Sequence, residues 1–193
     1  MDYCGKEGEL IEIGNRPRQG KRVDLDLLKD EIMNGDQTVE DIVLSNPMAY
    51  HQYGRTLNKI EDIALRKKWR TWMTKGIWIY GKTGAGKSHE ALKDYTNDSH
   101  YLYPNDNGWW DGYKGQETVV INEFRGCIQY SELLELCDKW PKTVRRRNRE
   151  PVPFLAKTII ITSSLKPCEV YSGIAENDSM EQLYRRFEIK HGS

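Results

Sequence analysis

One stretch of the sequence carries the residue types that bind a nucleoside triphosphate. It follows the apolar run 77–80 and comprises Gly81, Lys82, Thr83, Gly84, Ala85, Gly86, Lys87 and Ser88. A glycine-rich turn between a strand and a helix directs backbone N–H groups at phosphate oxygens. Lys87 then reaches the β- and γ-phosphates, and the Ser88 hydroxyl ligates Mg²⁺. The alternative is a glycine-rich surface loop, but the preceding strand pattern and the helix-forming residues 90–93 favour a phosphate-binding loop.

A second apolar run, residues 118–121, ends in two polar side chains, Asn122 and Glu123. In open α/β sheets, ligands bind at the carboxyl ends of the strands. We therefore interpret Glu123 as the general base that orients the attacking water, with an ordinary carboxylate at a strand exit as the alternative. Asn122 occupies the position expected for an aspartate associated with Mg²⁺. Its neutral amide can accept a hydrogen bond but adds no charge, which predicts weaker Mg²⁺ binding.

Two further groups could complete such a site. The β-branched run 158–162 ends in hydroxyls, and either Thr162 or Ser164 could sense the γ-phosphate by hydrogen bonding. Arg185 and Arg186 are predicted on a helix with apolar neighbours. One of them could enter a neighbouring subunit's site as an arginine finger, and a surface ion pair is the alternative.

The elements that must position these residues alternate between strands and helices. Strands are predicted at 76–80, 101–103, 118–121 and 158–162, and helices at 86–95, 131–138 and 178–187. This alternation predicts an α/β fold, a parallel sheet flanked by helices. Residues 23–70 instead show three short helical patterns, beginning near Asp24, Thr38 and Thr56, and predict a small helical bundle. We expect a linker over 1–22, the bundle over 23–70 and the nucleotide-binding domain over 71–193.

A basic segment lies between the last two predicted strands. It contains Lys142, Arg145, Arg146, Arg147 and Arg149, and reads as a hairpin or protruding loop. Such a cluster can bind the phosphates of single-stranded DNA, and a solvated loop is the alternative. The basic residues 66–68 at the end of the third helix allow the same two interpretations, DNA contact or a favourable charge at a helix C-terminus.

Composition limits the remaining possibilities. The 193 residues carry 29 lysines and arginines against 29 acidic residues, so DNA affinity must come from local clusters. The four cysteines form no CxxC pair, which predicts reduced thiols, an intracellular location and no structural zinc. No apolar run approaches the length of a membrane span, so we expect a soluble protein without membrane partners.

Several motifs in order resemble a known family. They are the phosphate loop, residues 109–113, residues 119–124, residues 151–156 and residues 160–163. Together they resemble the superfamily 3 helicase region of circovirus-like (CRESS-DNA virus) replication-associated proteins. The resemblance implies an AAA+-like P-loop NTPase that uses ATP and Mg²⁺. It also implies a hexameric ring tracking single-stranded DNA, an oligomerisation role for residues 23–70, a DNA-contacting hairpin at 142–149, and location in the host nucleus.

The resemblance to this family extends to the N-terminus. At two other positions the sequence differs from the family's usual residues. Tyr3 and Lys6 lie in a segment similar to the last motif of the family's rolling-circle endonuclease domain. The sequence contains no His-x-His pair to hold that domain's metal, so we expect no DNA nicking and a chain that is truncated or begins at that domain's end. The family usually has aspartate where Asn122 stands and asparagine where Ser164 stands, which puts the rate of turnover in question more than nucleotide binding.

Three functions therefore compete. The leading hypothesis is an ATP-driven DNA helicase that hydrolyses ATP at subunit interfaces. The second is a nucleotide-binding assembly module with weak hydrolysis, suggested by Asn122 and Ser164. A small P-loop kinase ranks last, because no acceptor pocket or lid is evident.

Overall fold

The computed structural model describes residues 23–173 and 179–192, with the Val23 side chain left out. Tyr3, Lys6 and the predicted linker lie outside the described residues. The chain divides into two compact units, residues 1–57 and 58–193, so the division falls inside one helix.

The first unit is helical. It contains α1 (Val23–Asn34), α2 (Val39–Ser45) and the beginning of α3 (Pro47–Arg66). Thr38 and Asp41 form a capping box at the start of α2, where the second helical pattern of the sequence begins. Helix α3 begins earlier than the predicted residue 56. Pro47 suits the first position of a helix, and the Asn46 side chain accepts the Ala49 N–H at 3.1 Å, so the proline that ends α2 also starts α3.

The second unit is built on a five-stranded parallel sheet of order β2-β3-β6-β1-β7. Its strands are β1 (Lys75–Tyr80), β2 (His100–Leu102), β3 (Thr118–Ile121), β6 (Thr158–Ser163) and β7 (Phe187–His191), and β4 (Thr143–Arg146) with β5 (Arg149–Pro153) forms a separate hairpin. The helices after α3 are α4 (Lys87–Leu92), α5 (Tyr130–Cys137), α6 (Pro167–Val170) and α7 (Met180–Tyr184). The predicted α/β class and the four predicted strands are confirmed.

The predicted helix over 178–187 is wrong at its C-terminal end. Helix α7 ends at Tyr184, so Arg185 and Arg186 lie in the turn before β7, and Phe187 begins that strand. A Cβ atom on Gly76 would lie only 2.4 Å from the Phe187 ring, so glycine at 76 lets this ring pack against β1. Pairing at the sheet edge therefore overrides a short apolar pattern that fits either a helix or a strand.

An aromatic core joins the sheet to the hairpin. Trp110 and Tyr113 are fully buried, and their rings pack against each other and against Phe154 after β5, with centroid separations of 5.4–5.8 Å. Trp78 of β1 meets Phe124 edge to face at 5.4 Å. The hairpin base is thereby packed on the same core as the strands that end at the phosphate loop.

A buried arginine anchors the end of α5. Arg70, which is 2% exposed, donates from Nε to the Trp140 carbonyl at 2.9 Å and from Nη2 to the Glu135 carbonyl at 2.6 Å. Its Nη1 donates to the Leu136 carbonyl and to the Thr74 hydroxyl. Carbonyls at a helix C-terminus have no partner within the helix, so Arg70 satisfies groups that would otherwise be buried without hydrogen bonds.

Candidate functional site

The phosphate loop connects β1 to α4, as predicted. Gly84 and Gly86 adopt φ angles of 87° and 69°, a region that glycine enters without steric cost. Lys87 is 4% exposed, and its ammonium donates to the carbonyls of Gly81 at 3.0 Å and Lys82 at 2.8 Å. The positive charge is thus held against the loop itself, where phosphate oxygens can replace carbonyl oxygens as its acceptors.

The structure brings together polar residues from three adjacent strand ends. The Asn122 side-chain oxygen accepts hydrogen bonds from the Ser88 hydroxyl at 2.8 Å and from the Thr162 hydroxyl at 2.7 Å. Thr162 is fully buried, and its hydroxyl also accepts the Glu123 N–H at 3.0 Å. The sequence left open whether Thr162 or Ser164 senses the γ-phosphate. In the structure the Thr162 hydroxyl positions Asn122. Ser164 is only partly buried.

The donor set at this point fits Mg²⁺ in a limited way. Ser88 and Asn122 offer two neutral oxygen atoms, and Mg²⁺ takes oxygen ligands while retaining waters and substrate phosphates. No group of three or more His, Cys, Asp or Glu side chains that could hold a metal occurs among the described residues. Ser88 and Asn122 could therefore hold Mg²⁺ only together with phosphate oxygens.

Glu123 lies at a backbone position that few side chains adopt. Its φ is 52°, and its side chain is 53% exposed. The Phe124 N–H, donating to the Thr162 carbonyl at 2.8 Å, helps to hold this conformation. Local strain of this kind is often found at functional sites. The carboxylate faces Arg125 at 3.7 Å, and Arg125 also donates to the Ser164 hydroxyl, so Arg125 links two predicted site residues.

A shallow cavity of about 430 Å³ adjoins the phosphate loop, and no motif in the sequence indicates it. Tyr80 and His191 line it with their rings edge to face at 5.1 Å, and the Lys166 ammonium lies 5.6 Å from the Tyr80 ring centre. The end of β7 also reaches the loop, since a Cβ on Gly192 would lie 2.8 Å from Lys87 Cγ. These residues meet only because β7 pairs with β1.

Arg185 and Arg186 lie near the start of β1, at the end of the strands opposite the phosphate loop. The Gly76 N–H at the start of β1 donates to the Arg186 carbonyl at 3.0 Å, about 16 Å of strand from the phosphate loop. The Arg186 guanidinium pairs with Asp138 at 3.3 Å and donates to the Gln182 carbonyl at 2.9 Å. Arg185 is exposed, and its side chain makes no ion pair or hydrogen bond within residues 23–173 and 179–192.

The basic segment forms a hairpin, with Arg147 and Asn148 at its tip. Asn148 has a φ of 54°, which asparagine tolerates in tight turns. Of the two alternatives left by the sequence, a hairpin or a protruding loop, the structure has the hairpin.

Most basic side chains of the hairpin form ion pairs, hydrogen bonds or ring contacts within the same chain. No pattern in the sequence indicates these contacts. Arg146 is buried and pairs with Asp62 at 2.8 Å. The others make the following contacts: Lys142 with Glu135, Arg145 with the Trp109 ring at 5.2 Å, Arg147 with Asp106 and with Asp111 at 3.0 Å, and Arg149 with Asn58 at 3.4 Å. The hydrogen bond that Arg147 donates to Asp106 raises the pKa of the Arg147 guanidinium. Arg145, Arg147 and Arg149 remain at the surface or close to it.

The parallel sheet, the loop after β1 and the polar residues at the ends of β3 and β6 define a P-loop α/β domain. Residues 77–165 match the family model described as RNA helicase. The chain is 38% identical over 186 residues to the replication-associated protein of porcine circovirus 2, covering 96% of this chain and 58% of that protein. It is 35% identical over 192 residues to the replication-associated protein of human-associated cyclovirus 1, covering 97% of this chain and 68% of that protein.

The chain belongs to the family of circovirus and cyclovirus replication-associated proteins. It spans less than two thirds of the length of its porcine circovirus relatives, 58% and 59%. A solved structure of the NrS-1 C-terminal region is similar over 86% of this chain and 37% of that chain, at 17% identity and a TM-score of 0.42. No helix in the described part of the chain has the length and apolar character needed to cross a membrane.

Proposed function

We propose that this chain is the helicase region of a rolling-circle replication initiator, which hydrolyses ATP at the interfaces of a homo-oligomeric ring and translocates on single-stranded DNA. The observation that carries the proposal is the contact of Ser88, Asn122 and Thr162 beside the phosphate loop. This contact joins the phosphate-binding side of the site to the end of β3, which Glu123 follows. Family membership supports the role in replication.

Each residue has a distinct task in this proposal. Lys87 and the amides of residues 81–86 bind the phosphates, and Ser88 with Asn122 would hold Mg²⁺, which screens phosphate charge when bound. Glu123 orients water and accepts its proton, and Ser164 hydrogen-bonds the γ-phosphate. These residues follow neighbouring strands at the carboxyl end of the sheet, where ligands bind in open α/β folds.

The ring is proposed to be a hexamer, with one site residue coming from the neighbouring subunit. Arg185 is the better candidate of the two arginines, because it is exposed while Arg186 is paired with Asp138. Both precede β7, at the end of β1 opposite the loop, and Gly76 at that end is about 16 Å along the strand from the loop. This position favours action on a neighbour's site over action on their own. The helical unit is proposed to contribute to assembly.

Single-stranded DNA is proposed to bind at the hairpin through the exposed guanidinium groups of Arg145, Arg147 and Arg149, with Lys142 at its base. Arg146 is buried against Asp62, so its contribution to DNA binding is structural in this conformation. We further infer action in the host nucleus, from the resemblance to circovirus-like proteins. Nicking is not expected of this sequence, because it holds no His-x-His pair.

The test is ATP turnover with and without single-stranded DNA, combined with a mass measurement of the assembly. We expect DNA-stimulated turnover in a ring-sized particle. Glu123→Gln should reduce turnover by about 10²-fold or more while retaining nucleotide binding, since a positioned general base typically contributes that much. Glu117→Gln, which removes an exposed carboxylate paired with Lys157, is the matched control and should leave turnover unchanged. Turnover unaffected by Glu123→Gln contradicts the proposal.

A second candidate function, a nucleotide-binding assembly module with weak hydrolysis, is favoured by the neutral amide of Asn122. It predicts near-zero turnover in the wild type with assembly that still depends on nucleotide. Rescue of turnover by Asn122→Asp would support the module, whereas wild-type turnover abolished by Glu123→Gln would support the motor.

A further inference from the structure

The segment between β2 and β3 contacts both the nucleotide site and the basic hairpin. Residues 105–111, here named the connecting loop, follow β2 and lie beside the end of β3 and the hairpin tip. Only residues 109–111 of this loop fall within a motif that carries the family resemblance, and no residue of the loop has a role in nucleotide binding described above.

At the nucleotide side, the connecting loop is bonded to Asn122. The Asn105 side chain donates from Nδ2 to the Asn122 backbone carbonyl at 2.7 Å, while its Oδ1 accepts from the Cys127 thiol at 3.4 Å. Asn122 is therefore held at two points, by Ser88 and Thr162 at its side chain and by Asn105 at its backbone. Any shift of Asn122 on nucleotide binding acts directly on Asn105.

At the hairpin side, the same loop binds Arg147 through two carboxylates. Asp106 pairs with Nη2, and Asp111 accepts the Arg147 backbone N–H at 2.7 Å and Nη1 at 3.0 Å. Trp109 lies beneath the guanidinium, 5.4 Å from ring centre to Cζ. A guanidinium binds carboxylate and phosphate oxygens in the same bidentate way, so the two aspartates engage both Nη groups with which Arg147 could bind a DNA phosphate.

The connection between the two sides is short. Asn105 and Asp106 are consecutive, so their Cα atoms are about 3.8 Å apart and a displacement of one moves the other. The rest of the loop is anchored to the aromatic core, since the Gly108 N–H donates to the Tyr103 hydroxyl at 2.7 Å and the Tyr101 hydroxyl donates to the Asp111 carbonyl at 2.9 Å. The loop is therefore anchored to the core at Gly108 and Asp111, and its first two residues join the two sites.

We propose that the connecting loop couples nucleotide state to DNA binding, with Asn105 as the positioning residue and Asp106 as an acidic competitor that holds Arg147 away from DNA. In the conformation described here, the aspartates occupy Arg147. A shift of Asn122 relayed by Asn105 moves Asp106 and frees Nη2 of Arg147 for a DNA phosphate, while Asp111 keeps its hydrogen bonds to Nη1 and to the Arg147 backbone. This inference rests on the proposed function, because it assumes that the chain binds both ATP and single-stranded DNA.

The test measures binding of a fluorescein-labelled oligothymidylate by anisotropy, with ADP and with a non-hydrolysable ATP analogue. The ratio of the two affinities is the coupling between the sites. Asn105→Gly removes the side chain and tolerates the φ of 54°, and the ratio should fall towards one. Asn107→Gly is the matched control, because Asn107 also has a positive φ, 44°, and is exposed, so it should keep the wild-type ratio.

A second variant tests the competitor directly. Asp106→Asn should raise DNA affinity in the ADP state by about twofold to fivefold, the range expected for loss of one exposed ion pair. Glu117→Gln, with the same change of net charge, controls for long-range electrostatics and should leave the ADP-state affinity unchanged. In an Arg147→Ala background, Asn105→Gly should have no further effect on the ratio, which makes a double-mutant cycle.

The outcomes separate the two proposals. If the wild type binds nucleotide and DNA with a ratio above one and Asn105→Gly keeps that ratio, the connecting loop is not the coupling element and the inference is overturned. An Asp106→Asn affinity equal to that of the wild type overturns the competitor role. A wild type that binds no DNA or no nucleotide overturns the proposed function itself.

Discussion

Ser88 and Asn122, 34 residues apart in the chain, share a hydrogen bond of 2.8 Å between the serine hydroxyl and the carboxamide oxygen. The same oxygen accepts a second hydrogen bond, from Thr162 at 2.7 Å. The metal side of the nucleotide site is therefore made of neutral oxygens held in fixed positions. A substitution that adds a negative charge at Asn122 therefore tests how this site binds Mg²⁺.

Asn122→Asp should strengthen the response to Mg²⁺. The aspartate can accept the same two hydrogen bonds and adds a negative charge, which attracts a divalent cation. We expect the Mg²⁺ concentration for half-maximal nucleotide binding to fall about fivefold or more, measured by titration of a fluorescent ATP analogue. Asn107→Asp, which adds the same charge on an exposed loop, is the control, and an equal shift in both variants would argue for a general electrostatic effect.

Arg185→Ala should affect turnover, whereas Arg186→Ala should affect stability. Arg185→Ala is expected to reduce turnover about 10³-fold with unchanged thermal stability, as for loss of an arginine finger. Arg186→Ala should lower stability, because it leaves Asp138 without its partner.

Subunit mixing checks whether Arg185 acts on a neighbouring site. Arg185→Ala subunits retain an intact phosphate loop, whereas Lys87→Ala subunits retain Arg185. A mixture of the two inactive variants should recover part of the wild-type turnover, because some interfaces then hold both groups. A mixture that stays inactive, although it forms rings, would count against action across the interface.

Substitution of two hairpin arginines should have different effects, one on stability and the other on DNA binding. Arg146→Met removes the nearer of the two guanidinium groups beside Asp62, which is 15% exposed and keeps only Arg149 at 4.0 Å. The change should reduce the free energy of unfolding by about 3 kcal/mol in urea denaturation. Arg149→Ala removes a side chain that is 48% exposed and should lower DNA affinity, reducing the slope of log affinity against log salt by about one. Recovery of stability in Arg146→Met/Asp62→Leu would confirm that the first effect comes from the Asp62 carboxylate.

Arg70→Met should be strongly destabilising without any direct effect on ligands. The change removes donors from the carbonyls of Glu135, Leu136 and Trp140, and hydrogen bonds to a charged group contribute about 1.5–3 kcal/mol each. We expect a loss of at least about 3 kcal/mol in chemical denaturation. Arg55→Met, at an exposed helical position, is the control and should change little. A small effect of Arg70→Met would show that solvent replaces these hydrogen bonds.

Glu150 should give the hairpin a pH-dependent contribution to stability. The hydrogen bond from Lys59, followed by the charge of Arg66, lowers the pKa of the Glu150 carboxyl below its ordinary value of 4.5. A lowered pKa in the folded state stabilises the protein above the unfolded pKa, and this contribution is lost as the pH falls through the folded pKa. Glu150→Gln should therefore lower the melting temperature slightly at pH 7 and have no effect below the folded pKa, with exposed Asp98→Asn as the control.

The sequence by itself determined the class of fold and the order of the site. The phosphate loop, the four strand patterns and the polar residues after β3 and β6 are local signals, because glycine placement, β-branched runs and strand ends are encoded in short stretches. Asn122 and Ser88 could be assigned to one site because parallel strands end at a common edge. The hairpin was likewise indicated by its basic tip between extended arms.

Tertiary structure alone decided which partner each charged or polar side chain takes. Pairing of β7 with β1 converted Phe187 from an expected helical residue into a strand residue and placed Arg185 and Arg186 in a turn. Asp62, Asp106 and Asp111 neutralise hairpin arginines, and Asn105 binds the backbone of Asn122, through contacts between residues far apart in the chain. Such contacts depend on the packing of whole elements and leave no periodic pattern in the sequence, so they appear only once the chain is folded.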